Sequence, residues 1–495
     1  MICIPVIANN LDDVLRDITE ASKVADIIEV RLDYLKNPDL KRILEGRTKP
    51  VIITNRPVRE GGKFDGSEEE RIATLKLAIQ LQADYVDIEY DSIQHINRDT
   101  AHGIPTKLIV SYHNFKETPD NLTSLYQKLS QCSADIVKIV PYANTITDNV
   151  KIYRLLQQAR GQLISFCMGE YGMISRILYK RFGSYLTFAS LRKGKESAPG
   201  QISIQEFLYT YQAQRQDKDT SIYGLIGNPV SHSISPIIHN TLFKEMNLNS
   251  IYVPFKVDNI GDFIRAFREL DVKGYSVTIP HKESVVNHLD TIDPTAKKIG
   301  AVNTIVNRNG QLVGFNTDYK AAIQVLEDMS RAPDIKTGND RLEEKCVTLL
   351  GAGGAARAIA FGLQERGAQV TIVNRNYERA QSLARDVGCL SKKFGDLPDI
   401  NTDILINATP VGMFPAVHET PFDKNNFKPS MLVFDTIYNP SETRLLREAR
   451  GQGCKIVGGL PMFVNQAAAQ FELWTGIKPP LKLIEEIAFK KLVGE

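Results

Sequence analysis

Cys346-Val-Thr-Leu-Leu350-Gly351-Ala-Gly353-Gly354-Ala-Ala356 joins a short apolar run to a glycine turn, and the helical pattern Arg357–Glu365 follows at once. This order predicts a strand, a tight turn and a helix. Glycines there let the backbone approach a pyrophosphate, which rests on the N-terminus of the helix. Gly351, Gly353, Gly354 and Ala355 are the candidate contacts, with Ala356 in the third glycine position. The next strand, Gln369–Val373, ends in Asn374-Arg375. An NAD site places an acidic residue there for the ribose 2′-hydroxyl. Arginine favours the 2′-phosphate of NADP instead, with Arg379 in support.

Upstream of this turn, strands are predicted at Ile222–Ile226, Ile251–Phe255, Tyr275–Thr278 and Val302–Val306. They make a second small α/β unit, suited to carrying the substrate. Serines and an asparagine near strand ends fit a polyhydroxylated ligand. Lys282 and Asp318 form a candidate acid/base pair, although each alone reads more readily as a surface ion-pair partner.

The first half follows a different plan. Short apolar runs recur at Ile2–Ala8, Asp26–Val30, Val51–Asn55, Tyr85–Glu89, Lys107–Tyr112, Asp135–Val140, Leu163–Met168 and Tyr185–Ala189. Helical patterns such as Leu11–Lys23, Glu68–Gln82, Asn121–Gln131 and Val150–Ala159 separate most of them. Parallel strands need such crossovers. An open doubly wound sheet has the same period, but the count of eight favours a (β/α)8 barrel. Catalytic groups in that fold sit at the C-terminal ends of strands. Glu29-Val-Arg31, Asn55-Arg56, Asp87-Ile-Glu89, Ser111-Tyr-His113, Lys138 and Met168-Gly169 all fall there. Singly, each reads as a rim ion pair; as a set they converge on one mouth. An ammonium on an apolar strand loses hydration, which lowers its pKa and frees an amine for Schiff-base chemistry. Lys138 is that candidate, and a lysine snorkelling to solvent is the alternative. His113 suits a proton shuttle, Glu89 is placed to fix its tautomer, and the arginines suit an anionic substrate.

The chain has 495 residues, 43% hydrophobic and 24% charged, with a net charge of +2. Small-molecule partners are expected, and nucleic acid and membrane are not. The N-terminus lacks a basic signal-peptide region and reads as a strand. Six scattered cysteines without a C-x-x-C pair predict free thiols in a reducing cytoplasm, with neither disulfides nor a metal site. Polar residues Gln212–Thr220 mark a boundary. The expected domains are 1–215, 221–330, 345–458 and C-terminal helices over 459–495 that pack back on the substrate unit.

Two resemblances sharpen this. Glu29-Val-Arg-Leu-Asp33, Asn55-Arg56 with Glu60-Gly-Gly62, Ser111-Tyr-His113, Asp135-Ile-Val-Lys-Ile139, Met168-Gly169 and Ser197-Ala-Pro-Gly-Gln201 resemble type I 3-dehydroquinate dehydratase over residues 1–210. The resemblance implies an imine between Lys138 and a C3 ketone, proton transfer by His113 with Glu89 orienting it, and net syn loss of water. It implies substrate contacts from Glu29, Arg31, Arg56, Arg176, Ser197 and Gln201, with Arg176 on the carboxylate. Ser197 and Gln201 fall on a loop after strand eight that suits a lid. The neighbouring charges of Leu191-Arg-Lys-Gly-Lys195 read as a solvated loop.

Residues 221–495 resemble shikimate dehydrogenase. The motifs are Gly227-Asn-Pro-Val-Ser-His-Ser233-Ile-Ser235-Pro, Ser276-Val-Thr278-Ile-Pro-His-Lys282-Glu, Gly300-Ala-Val-Asn303-Thr, Asn316-Thr-Asp318, Asn407-Ala-Thr-Pro-Val-Gly-Met413, Asp435-Thr-Ile-Tyr438-Asn-Pro and Gly459-Leu-Pro-Met-Phe-Val-Asn-Gln466. This implies reduction of the C3 ketone of 3-dehydroshikimate with NADPH. Lys282 and Asp318 handle the proton. Ser233, Ser235 and Tyr438 hold the carboxylate, and Thr278, Asn303 and Gln466 bind ring hydroxyls. Asn374, Arg375, Arg379, Thr409 and Gly459 join the glycine turn around the cofactor. The polar stretch Arg331–Glu344 reads as a surface extension. Quinate in place of shikimate, a Schiff-base aldolase in the barrel, and a regulatory protein without catalysis are the competing readings.

Overall fold

A computed structural model describes residues 1–96, 105–330 and 342–494. Residues 331–341 of the polar stretch lie outside the described residues. The chain divides into two compact units, one of Met1–Ile222 with Phe243–Asp271, the other of Tyr223–Leu242 with Val272–Glu495.

In the first unit the strands are β1 (Ile2–Val6), β2 (Ile27–Arg31), β3 (Val51–Thr54), β4 (Tyr85–Glu89), β5 (Lys107–Asn114), β6 (Ile136–Pro141), β7 (Gln162–Ser165) and β8 (Thr187–Phe188). They pair in parallel in the order β7-β6-β5-β4-β3-β2-β1-β8. Only β7 and β8 lack a ladder, and Tyr185 N donates to Leu163 O at 2.8 Å across that gap. The eight strands therefore form the expected barrel, nearly closed. Cys3, Ile27, Ile52, Ile109, Ile136 and Ile164 share a buried cluster that fills its interior. The crossovers begin where local chemistry starts helices. Asn10 caps Leu11–Ala21 by accepting from Asp13 N, and Ser67 with Glu70 forms a capping box on Glu68–Gln80.

The first unit also holds β9's opening residues and β10 (Ser250–Lys256), β9 being Ser221–Gly227. β10 lies beside β9 in a six-stranded sheet, and polar pairs also link residues 243–271 to the barrel: Lys256 with Glu170 (2.5 Å), Arg154 with Glu269 (2.7 Å) and Tyr171 with Asp258.

In the second unit β9, β11 (Gly274–Val277), β13 (Thr304–Arg308), β14 (Gln311–Phe315) and β12 (Thr291–Ile292) lie side by side. The hairpin from β13 to β14 turns on Asn309-Gly310, with φ of +55° and +91°. Both values are left-handed, as a two-residue hairpin turn requires. The remaining strands are β15 (Cys346–Leu350), β16 (Gln369–Val373), β17 (Leu390–Lys392), β18 (Ile404–Asn407), β19 (Leu432–Asp435) and β20 (Lys455–Val457). All are parallel, in the order β17-β16-β15-β18-β19-β20. That is the doubly wound dinucleotide-binding order, with its switch point beside β15. Helix Leu460–Thr475 returns to β13, where Trp474 Nε1 donates to Ile305 O at 3.0 Å.

Candidate active sites

The barrel strands bring their terminal polar side chains to one pocket, lined by Glu29, Arg31, Arg56, His113, Lys138 and Arg176 among others. Lys138 lies in β6 opposite Ser111 of β5. It is buried, but it is not a lone ammonium among apolar groups. Its Nζ donates to Asp87 Oδ2 at 2.8 Å, lies 3.7 Å from Glu29 Oε1, and stands 4.7 Å from the Phe188 ring centre. Thr54 Oγ1 donates to Glu29 Oε1 at 2.9 Å and holds that carboxylate in place.

Asp87 joins the lysine to the arginine cluster. Its Oδ1 accepts from Arg56 Nη2 at 2.7 Å and from Ser111 Oγ at 2.6 Å. Burial opposes its charge, yet Arg56 and Lys138 hold it well below the usual carboxylate range. Arg56 also donates to Glu89 Oε1 at 2.6 Å, and Arg31 forms a two-pronged pair with Asp33 at 2.8 and 2.7 Å. Both arginines line the pocket with their forks already engaged.

Arg176 differs. It is fully buried, its Nε has no hydrogen-bond partner, and no carboxylate pairs with it among the described residues. Burial alone pulls its guanidinium down to about 10. It stacks on Phe166 at 4.3 Å and faces Pro199 O at 3.5 Å. A buried cation without an anion is costly, so this geometry suits an incoming carboxylate. Ser197 and Gln201 line the same pocket. Ser197 N donates to Gln201 Oε1 at 2.8 Å, and the buried Gln201 Nε2 has no hydrogen-bond partner.

The expected link from Glu89 to His113 is corrected. His113 Nδ1 lies 2.9 Å from Glu60 Oε2, while the Glu89 carboxylate is bonded to Arg56 and Arg71. The reason is directional. Glu89 ends β4 level with Ser111 and shares the ion cluster behind the pocket. Glu60 closes the short turn Val58–Glu60 after β3 and reaches over the mouth. Burial pushes the Glu60 carboxyl up to about 8, against the attraction of Arg56 and with repulsion from Glu89 and Asp87. Burial, with Arg56 and Lys138 nearby, holds His113 well below its ordinary value, so its imidazole is neutral near pH 7. Sequence reasoning quoted Glu60 within a motif and assigned it no task. It left Asp87 unassigned too, although Asp87 shares a face with Glu89 by strand alternation.

In the second unit Lys282 Nζ donates to Asp318 Oδ2 at 2.5 Å. Asn303 Nδ2 donates to Asp318 Oδ1 at 2.8 Å, and Asn303 Oδ1 accepts from Thr317 N at 2.7 Å. Gln470, one helical turn beyond Gln466, braces this group by donating to Asn303 O at 3.1 Å. Gln466 itself donates to Phe463 O at 3.0 Å, and Thr278 N bonds Ile226 O at 2.8 Å. Ser235 N donates to Ser233 Oγ at 3.2 Å. Tyr438 packs on Phe463 with ring centres 4.5 Å apart. Burial pushes its phenol up to about 12, and a hydrogen bond with Ser233 opposes that shift. Ser233, Ser235 and Tyr438, the three residues expected at the carboxylate, are thereby gathered.

The glycine turn fits a pyrophosphate. Gly351 has φ +117°, and a Cβ there would sit 2.8 Å from Ala408 O. Gly353 faces open space and caps helix Gly354–Glu365 without a side-chain bond, so the first-turn N–H groups have no side-chain cap. A Cβ on Gly354 would stand 2.7 Å from Lys282 Cβ, so the turn abuts the stem of that lysine, with Ala355 next along the helix. Thr409 N and Oγ1 both donate to Asn407 Oδ1, at 3.0 and 2.7 Å. Gly459 packs on Thr436 O. Asn374 Nδ2 donates to Asn376 O at 2.9 Å. Arg375 is exposed, and Arg379 lies 3.5 Å from Glu283. Asp435, unassigned from sequence, accepts from Asn407 at 3.1 Å, and burial pushes its carboxyl up to about 6.

In the loop Leu191–Lys195, Lys193 and Gly194 are exposed as expected, while the partly exposed Arg192 and Lys195 both reach the buried Asp17. Among the described residues no helix is long and apolar enough to cross a membrane, and no three metal-ligating side chains gather. All six cysteines are unpaired.

Residues 2–218 match the type I 3-dehydroquinase family. Residues 225–305 match the shikimate dehydrogenase substrate binding domain, 334–440 the shikimate/quinate 5-dehydrogenase family, and 459–489 the shikimate 5′-dehydrogenase C-terminal domain. A chloroplastic bifunctional 3-dehydroquinate dehydratase/shikimate dehydrogenase of Arabidopsis thaliana is 42% identical over 99% of the chain and 84% of its own length. A shikimate dehydrogenase (NADP+) of Bacillus cereus strain AH820 is 40% identical over 55% of the chain and 99% of its own. A crystal structure of a shikimate dehydrogenase in complex with NADP+ superposes with a TM-score of 0.51 at 38% identity, over 56% of this chain and 97% of that one.

Proposed function

Because the chain belongs to the family of bifunctional 3-dehydroquinate dehydratase/shikimate dehydrogenases, we propose that it dehydrates 3-dehydroquinate in the barrel and reduces the product, 3-dehydroshikimate, to shikimate in the second unit. The barrel pocket carries this reading: a primary amine, a neutral imidazole and an unpaired guanidinium line one cavity.

Arg176 takes the C1 carboxylate and gains the anion that its site lacks. Lys138 attacks the C3 ketone, and loss of water gives an iminium that acidifies the C2 proton. His113 removes that proton, then returns it to the C1 hydroxyl as water departs. Glu60 holds the imidazole through Nδ1, leaving Nε2 for the substrate. Hydrolysis of the imine releases 3-dehydroshikimate and regenerates the amine. Glu29, Arg31, Arg56, Ser197 and Gln201 surround the ring.

In the second unit Ser233, Ser235 and Tyr438 receive the carboxylate, and Thr278, Asn303 and Gln466 the ring hydroxyls. Gly351, Gly353, Gly354 and Ala355 hold the pyrophosphate of NADPH. Arg375 and Arg379 hold its 2′-phosphate, with Asn374, Thr409 and Gly459 alongside. When bound, NADPH supplies a hydride. Lys282 delivers a proton to the C3 oxygen, and Asp318 and Asn303 fix its position. The domain limits at 215, 221, 330, 345 and 458 belong to the same reading. So does a cytoplasmic location; recovery in a plastid fraction would overturn it.

The test is incubation with 3-dehydroquinate and NADPH, followed by product analysis. Shikimate is expected. Borohydride added with 3-dehydroquinate should tag Lys138, and a tag on another lysine would remove its role. Lys282→Ala should abolish the reduction and leave dehydration intact; loss of both would overturn the assignment of two independent sites.

A further inference from the structure

We infer that Asp17 latches the loop of residues 191–202 over the barrel pocket, as a positioning residue for the dehydratase reaction; this rests on the reading of that pocket given above. The loop is tied at three places. At its base, Ser190 N donates to Ile202 O at 2.9 Å and Ile204 N to Ser190 O at 2.8 Å. Near its tip, Gly169 N donates to Pro199 O at 3.1 Å. Gly200, with φ +76°, lies so close that a Cβ would stand 2.1 Å from Gly169 O.

The third tie is ionic. Arg192 Nη2 donates to Asp17 Oδ1 at 3.1 Å, and its Nη1 donates to Glu20 Oε2 at 2.7 Å. Lys195 Nζ lies 3.5 Å from Asp17 Oδ2 and donates to Ile7 O at 3.3 Å, just past β1. Asp17 sits on helix Leu11–Ala21 with its carboxylate 2% exposed. Among the described residues Arg192 and Lys195 are its only ion-pair partners. A buried carboxylate stripped of its cations pays desolvation without return. Lifting the loop removes both cations together, so the carboxylate favours the closed position.

That position matters because the loop supplies Ser197 and Gln201 to the pocket and Pro199 O to Arg176. Two pocket side chains and the carbonyl that meets Arg176 are therefore set by a residue that touches no substrate. A loop held less firmly weakens binding of substrate and transition state alike, which raises KM and spares kcat.

The experiment is Asp17→Asn in the full chain, with Asp17→Glu as the conservative control. Amide hydrogen exchange across residues 191–202 should quicken about fivefold in Asp17→Asn, and KM for 3-dehydroquinate should rise about fivefold. Its kcat should stay within about twofold, its 3-dehydroshikimate reduction rate should be unchanged, and Asp17→Glu should recover most of the KM. Should Asp17→Asn not accumulate as folded protein, Arg192→Gln with Lys195→Gln carries the same readouts on partly exposed side chains. Unchanged loop exchange with unchanged KM would overturn the latch, as would a fall in kcat alone. Faster exchange in a protein whose parent does not dehydrate 3-dehydroquinate would uphold the latch and remove the pocket's assigned reaction.

Discussion

Glu60 Oε2 stands 2.9 Å from Nδ1 of His113, whereas Glu89, at the end of the neighbouring strand, is committed to Arg56 and Arg71. Two glutamates on adjacent elements thus have separable tasks. Glu60→Gln keeps the shape but loses the carboxyl that orients the ring. It should lower dehydratase kcat by about 10²-fold and barely change the melting temperature at about pH 4.5 and below, where the Glu60 carboxyl keeps its proton. Glu89→Gln should do the reverse. It breaks a fully buried ion cluster, at a cost of about 3–5 kcal/mol, read by denaturant unfolding of the full chain. Equal loss of activity without loss of stability in Glu89→Gln would return that residue to the catalytic role.

The same pair fixes a pH dependence. The Glu60 carboxyl is raised from 4.5 to about 8 on folding. A raised carboxyl binds more protons folded than unfolded, so its contribution is complete below pH 4.5 and is lost as pH climbs through 8. Glu60→Gln carries no such group. Its stability relative to the parent should therefore improve steadily from about pH 4.5 to about pH 8 and then level off. His113 shifts the opposite way, below 6.5, so folding disfavours its proton and stability is lost as pH falls below that value. A flat difference between Glu60→Gln and parent across this window would show that Glu60 stays ionised.

Much of this was legible in the residues. Tyr85–Glu89, Cys346–Leu350 and Gln369–Val373 are strands at the predicted limits, because each is a short apolar run with polar or glycine neighbours: Asp84 before the first, Gly351 after the second and Gly367 close before the third. The seventh strand was drawn to Met168 and stops at Ser165. Cys167 N bonds Ser175 Oγ at 2.9 Å and leaves the ladder there, a choice made by a side chain eight residues on. Lys138 and His113 were found by type and position, and Arg176 through the family resemblance. Glu60 and Asp17 were not, since their partners lie 53 and 175 residues away and nothing local distinguishes them from surface acids.

Arg176 tests the idea that the substrate completes a charge balance. Among the described residues its guanidinium is buried without a counterion, and burial pulls it down to about 10. Arg176→Met fills similar volume without the charge. The free variant should be as stable as the parent or more so, by about 1–3 kcal/mol. Dehydration should fall by more than about 10²-fold, and thermal stabilisation by 3-dehydroshikimate should disappear from the barrel transition. A strongly destabilised free variant would mean that Arg176 already has a structural partner.

Arg375 follows β16, where an NAD site would carry a carboxylate. It is exposed, with no ion pair among the described residues, while Arg379 is drawn to Glu283 at 3.5 Å. In the proposed cofactor site Arg375 is the candidate cation for the 2′-phosphate, and Arg379 would have to give up Glu283 to assist. Arg375→Glu replaces attraction by repulsion and restores an acceptor for a ribose hydroxyl. NADPH affinity should fall about 10²-fold, and NADH affinity should hold or rise slightly. Arg379→Ala should cost NADPH less than about tenfold, because that side chain already has a partner. Titration of each nucleotide by fluorescence quenching separates these outcomes without turnover. An unchanged NADPH/NADH ratio in Arg375→Glu would move phosphate recognition away from this strand end.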